Sequence, residues 1–360
     1  MKQISTSVVL LRLMAANGVE TDSVSPRSEK RETYAAMNLL LKYLVCCLVV
    51  AASAIAGVAM AAVSFPTKPI RIVVYVSPGS VLDVSARVVA EKMGEHLGQP
   101  VVVENMGGGS GLVGIRSIKN APADGYTLLT ATNTLAQAPV LNADPGYELK
   151  DFTAIGSMSR YPLVMVGSPD QASKNLSEFI ARAKANPDGM SFASGGLGTS
   201  TFLAASMFLH QAGIKMLHVP YKGTAAAMPD VLGGRVNMVF DGESSAGPQI
   251  RQGKLRAFGI SSLNRSKGLP DVPTLAEQGL PNYSFIVYSG LVVRAGTPKE
   301  VVQRLSEALK VAVSSEAVRE RLRKDGAEAW LLSPEAFDEF MRQDSQRIAK
   351  LATEMGMPKQ

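Results

Sequence analysis

From residue 65 onward the chain alternates short β-branched apolar runs with longer amphipathic stretches. "IRIVVYV" (70–76) reads as a buried strand. In the stretch that follows, Leu82, Ala86, Val89, Met93 and Leu97 share one helical stripe. Arg87, Glu91 and Glu95 lie opposite, with Arg87–Glu91 spaced as an i, i+4 pair. Gly98 stops the helix, and "PVVVEN" (100–105) is the next strand. Strand, helix and strand joined by short connections imply a parallel sheet with a right-handed crossover. "GYTLLTAT" (125–132) is a further strand.

The middle of the chain repeats the design. "PLVMVGS" reads as a strand and "NLSEFIARAKANP" as a helix ending before Pro187. "MSFASGGLGTS" is a strand running into a glycine-rich loop, and "TFLAASMFLHQAG" is a helix closed by Gly213. "KMLHVPYKG", "RVNMVFD" and "LRAFGISS" are strands, and "AAAMPDVLGG" is a short helix. The C-terminal part is helical. Thr297-Pro298-Lys299-Glu300 has the form of a capping box with Pro at the first helical position. Helices are expected over "EVVQRLSEALKVAVSS", over 316–324 and over 334–355. The fold class is therefore α/β.

The N-terminus follows another pattern. Residues 37–61, "MNLLLKYLVCCLVVAASAIAGVAMA", carry one Lys, an apolar stretch and then small residues. Ala59-Met60-Ala61 suits a leader cleavage site, so this segment reads as a secretory signal peptide. A membrane anchor over Tyr43 to Ser64 is the rival, weakened by the Ala and Gly of its second half. Residues 1–36 precede a plausible second start, Met37, and read as an extension upstream of the true one. Both cysteines, Cys46 and Cys47, fall inside the leader. Val45 stands where a lipoprotein signal needs a small residue, so the exported chain would have neither disulfide nor thiol.

Composition narrows the class. With 46% apolar and 19% charged residues, the chain is globular. Residues 1–61 hold six Lys and Arg and four Asp and Glu, leaving 31 and 27, a net +4. No basic run of the kind that tracks a phosphate backbone is present, which excludes a nucleic-acid partner.

The candidate chemistry lies in loops. Ser77, Pro78, Gly79, Ser80, Val81, Leu82 and Asp83 join the first strand to its helix. A helix start presents unpaired N–H groups and a positive dipole end, which favours an anion. Asp83 or Ser80 would cap that helix. Ser194, Gly195, Gly196, Leu197, Gly198, Thr199 and Ser200 form a second such loop after another strand. Two loops of this kind facing each other would hold one small anion by backbone N–H groups. Tyr221 and Lys222 after one strand, Asp241 at the end of another, and Thr132 and Asn133 at a third are further candidates. Each of these also suits a plain turn, cap or packed position.

Enzyme signatures are weak. Gly109, Gly111 and Gly114 match the spacing of a dinucleotide fingerprint, but no acidic residue follows at the required distance. No nucleophile elbow, phosphate-binding P-loop or zinc-protease helix motif occurs. His96, His210 and His218 are isolated, and no metal-binding cluster is evident. Neither cofactor nor metal is expected.

In order, "FPTKPIRIVV", "SPGSVLD", "GQPVVVEN", "GGGSG", "PADGYTLL", "ASGGLGTS", "HVPYKG", "LGGRVNMVFD", "LPDVPTLAEQGLP" and "GTPKEVVQRL" resemble the Bug family. These are the periplasmic solute-binding proteins of tripartite tricarboxylate transporters. The resemblance spans 65 to about 357. It implies a two-lobed Venus-flytrap fold of the type II kind, with lobe 1 at 65–163 plus 285–360 and lobe 2 at 164–284. It further implies a monomeric, non-enzymatic receptor in the periplasm. Such a receptor holds a small carboxylate through backbone amides and waters of the loops at 77–83 and 193–200, and delivers it to membrane permease subunits. A receptor that signals to a sensor kinase is the first alternative, and an exported enzyme on the same fold the second. The family's first loop usually reads Pro-Phe-Pro-Pro-Gly-Gly-Gly-Thr-Asp, where this chain has Tyr75 to Asp83 with Val76, Ser80, Val81 and Leu82 as departures. The usual Phe-Asp-Asn is Phe240-Asp241-Gly242. Because Val81 resists positive φ, the loop is expected to take another path and to favour a less polar or bulkier acid than citrate.

Overall fold

A computed structural model describes residues 65–187, 189–357 and 359, together with positions 37, 41 and 42. The remaining leader and extension residues, both cysteines included, lie outside the described residues.

Two sheets share one long strand. The first has the order β2-β1-β3-β9-β4, with β1 (Ile70–Val74), β2 (Val101–Asn105), β3 (Thr127–Thr132), β4 (Phe152–Gly167) and β9 (Ile286–Arg294). Short β10 (Glu328–Ala329) pairs with β4 at Arg160 and Ser159. The second sheet gathers β5 (Ser191–Ser194), β6 (Leu217–Pro220), β7 (Met238–Gly242) and β8 (Arg256–Ile260) around the far half of β4. β1 lies parallel to β2 and β3, and β5 lies parallel to β6 and β7. β4 and β9 run antiparallel to their neighbours. β4 changes partners along its length: Arg160 to Pro162 still face β9, whereas Leu163 to Val166 face β7.

Strand β1, flanked by β2 and β3, is buried on both faces, which is why it reads as an almost continuous apolar run. Ile70, Ile72, Val73 and Val74 are each at most 1% exposed. Between the strands lie α1 (Val81–Leu97), α2 (Leu112–Lys119), α3 (Asn133–Leu141), α4 (Leu176–Ala185), α5 (Ser200–Ala212), α6 (Thr224–Leu232) and α7 (Glu243–Arg251). After β9 come α8 (Lys299–Ser314), α9 (Glu316–Lys324) and α10 (Pro334–Glu354). The expected stripe of α1 is wholly buried, and Gly98 and Gly213 close α1 and α5 in the left-handed conformation.

Several expectations are corrected. β6 is confined to four residues of "KMLHVPYKG", and β3 begins at Thr127, after the turn at Gly125. "PLVMVGS" is only the last part of the 16-residue β4. The box at 297–300 does not form: Pro298 is the N-cap without a side-chain hydrogen bond, and Thr297 Oγ1 instead donates to the Arg294 carbonyl at 2.8 Å. Arg87 turns back to Asp83 rather than forward to Glu91.

Candidate functional site

Six helices start at one place. β1, β2, β3, β5, β6 and β7 each end in a short turn that leads into α1, α2, α3, α5, α6 and α7. The starts of all six border a single cleft of about 170 Å³. At roughly 10–15 Å³ per water, the cleft suits a ligand of on the order of ten non-hydrogen atoms.

The first loop resolves without strain at Val81. The positive φ falls on Gly79, at +78°, and Ser80 is the N-cap of α1, its hydroxyl accepting from Asp83 N at 3.3 Å. Val81 is simply the first helical residue, so the alternative loop path expected from it is not needed. Ser77, Pro78, Gly79, Ser80, Val81 and Leu82 all line the cleft, and Asp83 does not. The Asp83 carboxylate is buried and accepts from Gly79 N at 2.9 Å, Asn105 Nδ2 at 2.9 Å and Arg87 Nε at 3.2 Å. Burial alone would raise its pKa. Arg87, the Gly79 amide and Asn105 outweigh that and hold it below the ordinary carboxylate range. Asp83 therefore shapes the loop.

In the second loop, Gly195, Thr199 and Ser200 line the cleft, whereas Ser194, Gly196, Leu197 and Gly198 do not. Ser194 Oγ meets His218 Nε2 at 2.7 Å and accepts from Gly196 N at 3.0 Å, so it pins the loop. His218 stacks on Phe192, and burial lowers its pKa. Thr199 caps α5, accepting from Phe202 N. Thr132 lines the cleft and accepts from Thr134 N. Asn133 turns away and ties α3 to β9, accepting from Tyr288 N at 3.1 Å and donating to the Ile286 carbonyl at 3.2 Å. Tyr221 is likewise off the cleft wall, its hydroxyl donating to Asp230. Lys222 and Asp241 border the cleft.

Among the described residues, Lys222 is the only cation on this wall and Asp241 the only carboxylate. Asp241 is buried. Thr224 Oγ1 donates to it at 2.7 Å, and Ser245 Oγ donates to its other oxygen. Burial pushes its carboxyl above the usual range, and the hydroxyls and the Gly242 N–H only partly offset this. Most of the free donors on the wall belong to the main chain. Among the described residues, the N–H groups of Val81, Leu82, Ser200, Thr201, Thr224 and Ala225 have no protein acceptor, and all six residues line the cleft. They are the first-turn donors of α1, α5 and α6, where the helix dipole is positive.

The sequence pattern did not single out Tyr75, Gly108, Ser110, Tyr161, Leu163 or Ser245, and it noted Gly111 only for a dinucleotide-like spacing; all are on the cleft wall. A signal for part of this set was present in "GGGSG". A Cβ on Gly111 would come within 2.7 Å of the Tyr75 ring, and one on Gly114 within 2.8 Å of Tyr75 Cβ. These glycines make room for Tyr75, which meets Thr132 Oγ1 at 2.6 Å and whose hydroxyl is pushed up to about 12 by burial. Tyr161 is 8% exposed, and its hydroxyl has no hydrogen-bond partner among the described residues. No group of three or more His, Cys, Asp or Glu able to hold a metal occurs among the described residues.

The cleft also brings the two sheets' loops into contact. A Cβ on Gly196 would lie 2.2 Å from Ser110 Oγ, one on Gly223 2.9 Å from Ser77 Oγ, and one on Gly242 2.5 Å from Val81 Cγ2. Gly196 and Gly223 follow strands of the second sheet and Gly242 ends one, while each opposing side chain follows a strand of the first.

Two α/β sheets joined by a shared strand, with helix starts converging on a small cleft, define a solute-binding protein. The chain belongs to the tripartite tricarboxylate transporter family of receptors, whose description, "Tripartite tricarboxylate transporter family receptor", matches residues 85–357. It is similar to the periplasmic binding protein BugD, 34% identical with a TM-score of 0.79, over 82% of this chain and all of that one. It is also similar to Rpa4515 of R. palustris with adipate, 28% identical with a TM-score of 0.78, over 82% of this chain and all of that one. MatC (Rpa3494) from Rhodopseudomonas palustris with bound malate is 28% identical with a TM-score of 0.76, over 80% of this chain and 99% of that one. The fold is that of the periplasmic binding proteins.

Proposed function

We propose that this chain captures a small aliphatic dicarboxylate in the periplasm, binds it without turnover, and delivers it as a monomer to permease subunits. The observation that carries this is the set of six amides on three helix starts that find no acceptor among the described residues, around a cleft with one exposed cation among those residues. Such amides neutralise a carboxylate without arginine and offer nothing to a cation. The adipate and malate bound by two relatives are of the size the cleft admits. In this reading residues 65–163 with 285–360 form one lobe and 164–284 the other. The partner change of β4 at Pro162–Leu163 and the start of β9 at Ile286 support that division. The leader at 37–61 accounts for export.

Isothermal titration of the ligand-free protein with adipate, malate, citrate and benzoate tests the proposal. Saturable binding of a dicarboxylate supports it; binding of none of the acids, or hydrolysis or other conversion of a bound one, overturns it. Two variants separate the contributions of individual groups. Lys222→Ala is expected to weaken dicarboxylate binding by no more than about five-fold, because an exposed ammonium contributes little. Tyr161→Phe is expected to leave the melting temperature unchanged, since the hydroxyl has no protein partner to lose. Its affinity should fall about five- to ten-fold, the value of one hydrogen bond to a charged ligand.

A further inference from the structure

We propose that Val81 and Gly242 together fix the girth of the acid the cleft accepts, so that unbranched dicarboxylates enter and a branched tricarboxylate such as citrate does not. This deepens the carboxylate reading and rests on it. Val81 opens α1 after the first sheet, and Gly242 ends β7 at the start of α7 in the second. Both line the cleft, beside Leu163, which pairs with Gly242 across β4 and β7. The missing Cβ of Gly242 would lie 2.5 Å from Val81 Cγ2, so the methyl already rests on the glycine backbone. No ligand atom passes between two groups in van der Waals contact. The cleft is therefore closed across its width at this point, close to where the α1 amides of Val81 and Leu82 meet a carboxylate.

Two features keep the contact in place. Val81 is 3% exposed and β-branched, and a valine in a helix holds one strongly preferred side-chain rotamer, so the methyl does not swing aside at low cost. Gly242 has φ −73° and ψ 150°, extended geometry that alanine adopts without strain. The only obstacle to a side chain at 242 is Val81 itself. The two positions form a complementary pair: bulk is permitted on one side of the cleft or on the other. The altered first loop thus selects a less polar but slimmer ligand, which keeps the less polar half of the expectation drawn from Val81 in the sequence and reverses the bulkier half.

The test is a cycle of Val81→Ala, Gly242→Ala and the double variant, each titrated with adipate and citrate, with folding followed by thermal melting. Val81→Ala is expected to raise the citrate-to-adipate affinity ratio at least ten-fold. Gly242→Ala is expected to lower affinity for adipate at least ten-fold while melting as a single folded species. The double variant should recover most of that loss, because the new methyl occupies the space the valine vacated. An unchanged ratio in Val81→Ala, or a double variant as weak as Gly242→Ala, overturns the proposal. Failure of the original protein to bind any of adipate, malate, citrate and benzoate would instead overturn the carboxylate reading, so the two failures are distinct.

Discussion

Replacing Asp83 with alanine is expected to destabilise the protein by about 2–3 kcal/mol and to weaken ligand binding at least ten-fold, although Asp83 does not border the cleft. The carboxylate is 3% exposed and receives hydrogen bonds from Gly79 N, Asn105 Nδ2 and Arg87. Asn105 also donates to the Val76 carbonyl and accepts from Arg87, so one network ties β1's exit to α1 and β2. Removing its centre leaves the part-buried Gly79 amide and one Asn105 donor without a protein partner, each at about 1 kcal/mol. The Arg87 contribution is smaller because that side chain is half exposed. A loss of this size lowers the melting temperature of a domain this large by roughly 3–5 °C. The pH dependence has a fixed sign. The folded pKa of Asp83 lies below its ordinary value of 3.8, so its contribution is complete above that pH and is lost as pH falls through the depressed folded pKa. The alanine variant should lack that acid-sensitive increment. Melting curves at pH 7 and at pH 3 check this. An unchanged melting temperature at pH 7 would show that the network does not hold the loop.

Gly290→Ala is expected to be among the most destabilising single-methyl changes at the described residues. Gly290 sits inside β9, opposite Ala131 of β3 and Ser157 of β4. An added Cβ would lie 2.3 Å from the Phe337 ring and 2.4 Å from the Gly156 carbonyl oxygen. Phe337 is fully buried and packs edge-on against Tyr288 and Trp330, so the ring cannot withdraw alone. The carbonyl belongs to the main chain of β4 and cannot move without the sheet. Overpacking of this kind costs about 1–3 kcal/mol and occasionally more. Because the collision is with backbone as well as ring, the upper end applies, and the melting temperature should fall by about 5 °C or more. A variant that melts like the original protein would mean that β4 and β9 part readily at this point.

Much of this architecture is legible in the sequence. β1, α1, β2, α5 and the C-terminal helices announce themselves because their apolar spacing and terminal glycines agree. The elements that escape the pattern carry conflicting local signals. α3 contains Pro139 and α7 contains Gly247-Pro248, so neither reads as a helix, yet both start at the cleft. β9 contains Ser289, which meets Ser159, and Gly290, which leaves room for Phe337, and together they interrupt its apolar run. The first half of β4 is obscured by small polar residues: Ser159 Oγ meets Ser289 Oγ at 2.7 Å, and Ser157 Oγ donates to the Trp330 carbonyl at 2.6 Å.

The loops of the cleft are visible as loops, but the direction of each side chain is not. Asp83, Asn133, Ser194 and Tyr221 carry the right chemistry for a ligand and spend it on neighbouring backbone or side chains. That choice depends on partners far away in sequence, such as Asn105 for Asp83 and Tyr288 for Asn133. Tyr75 and Tyr161 look like ordinary strand aromatics until the sheets bring them to the cleft.

The acceptor-free amides of α1, α5 and α6 have a consequence for descent. Every amino acid except proline supplies the same N–H, so mutation at these positions can exchange side chains while the affinity for acids is inherited intact. Copies of such a gene can therefore diverge in which acid they prefer long before any of them loses the ability to hold one.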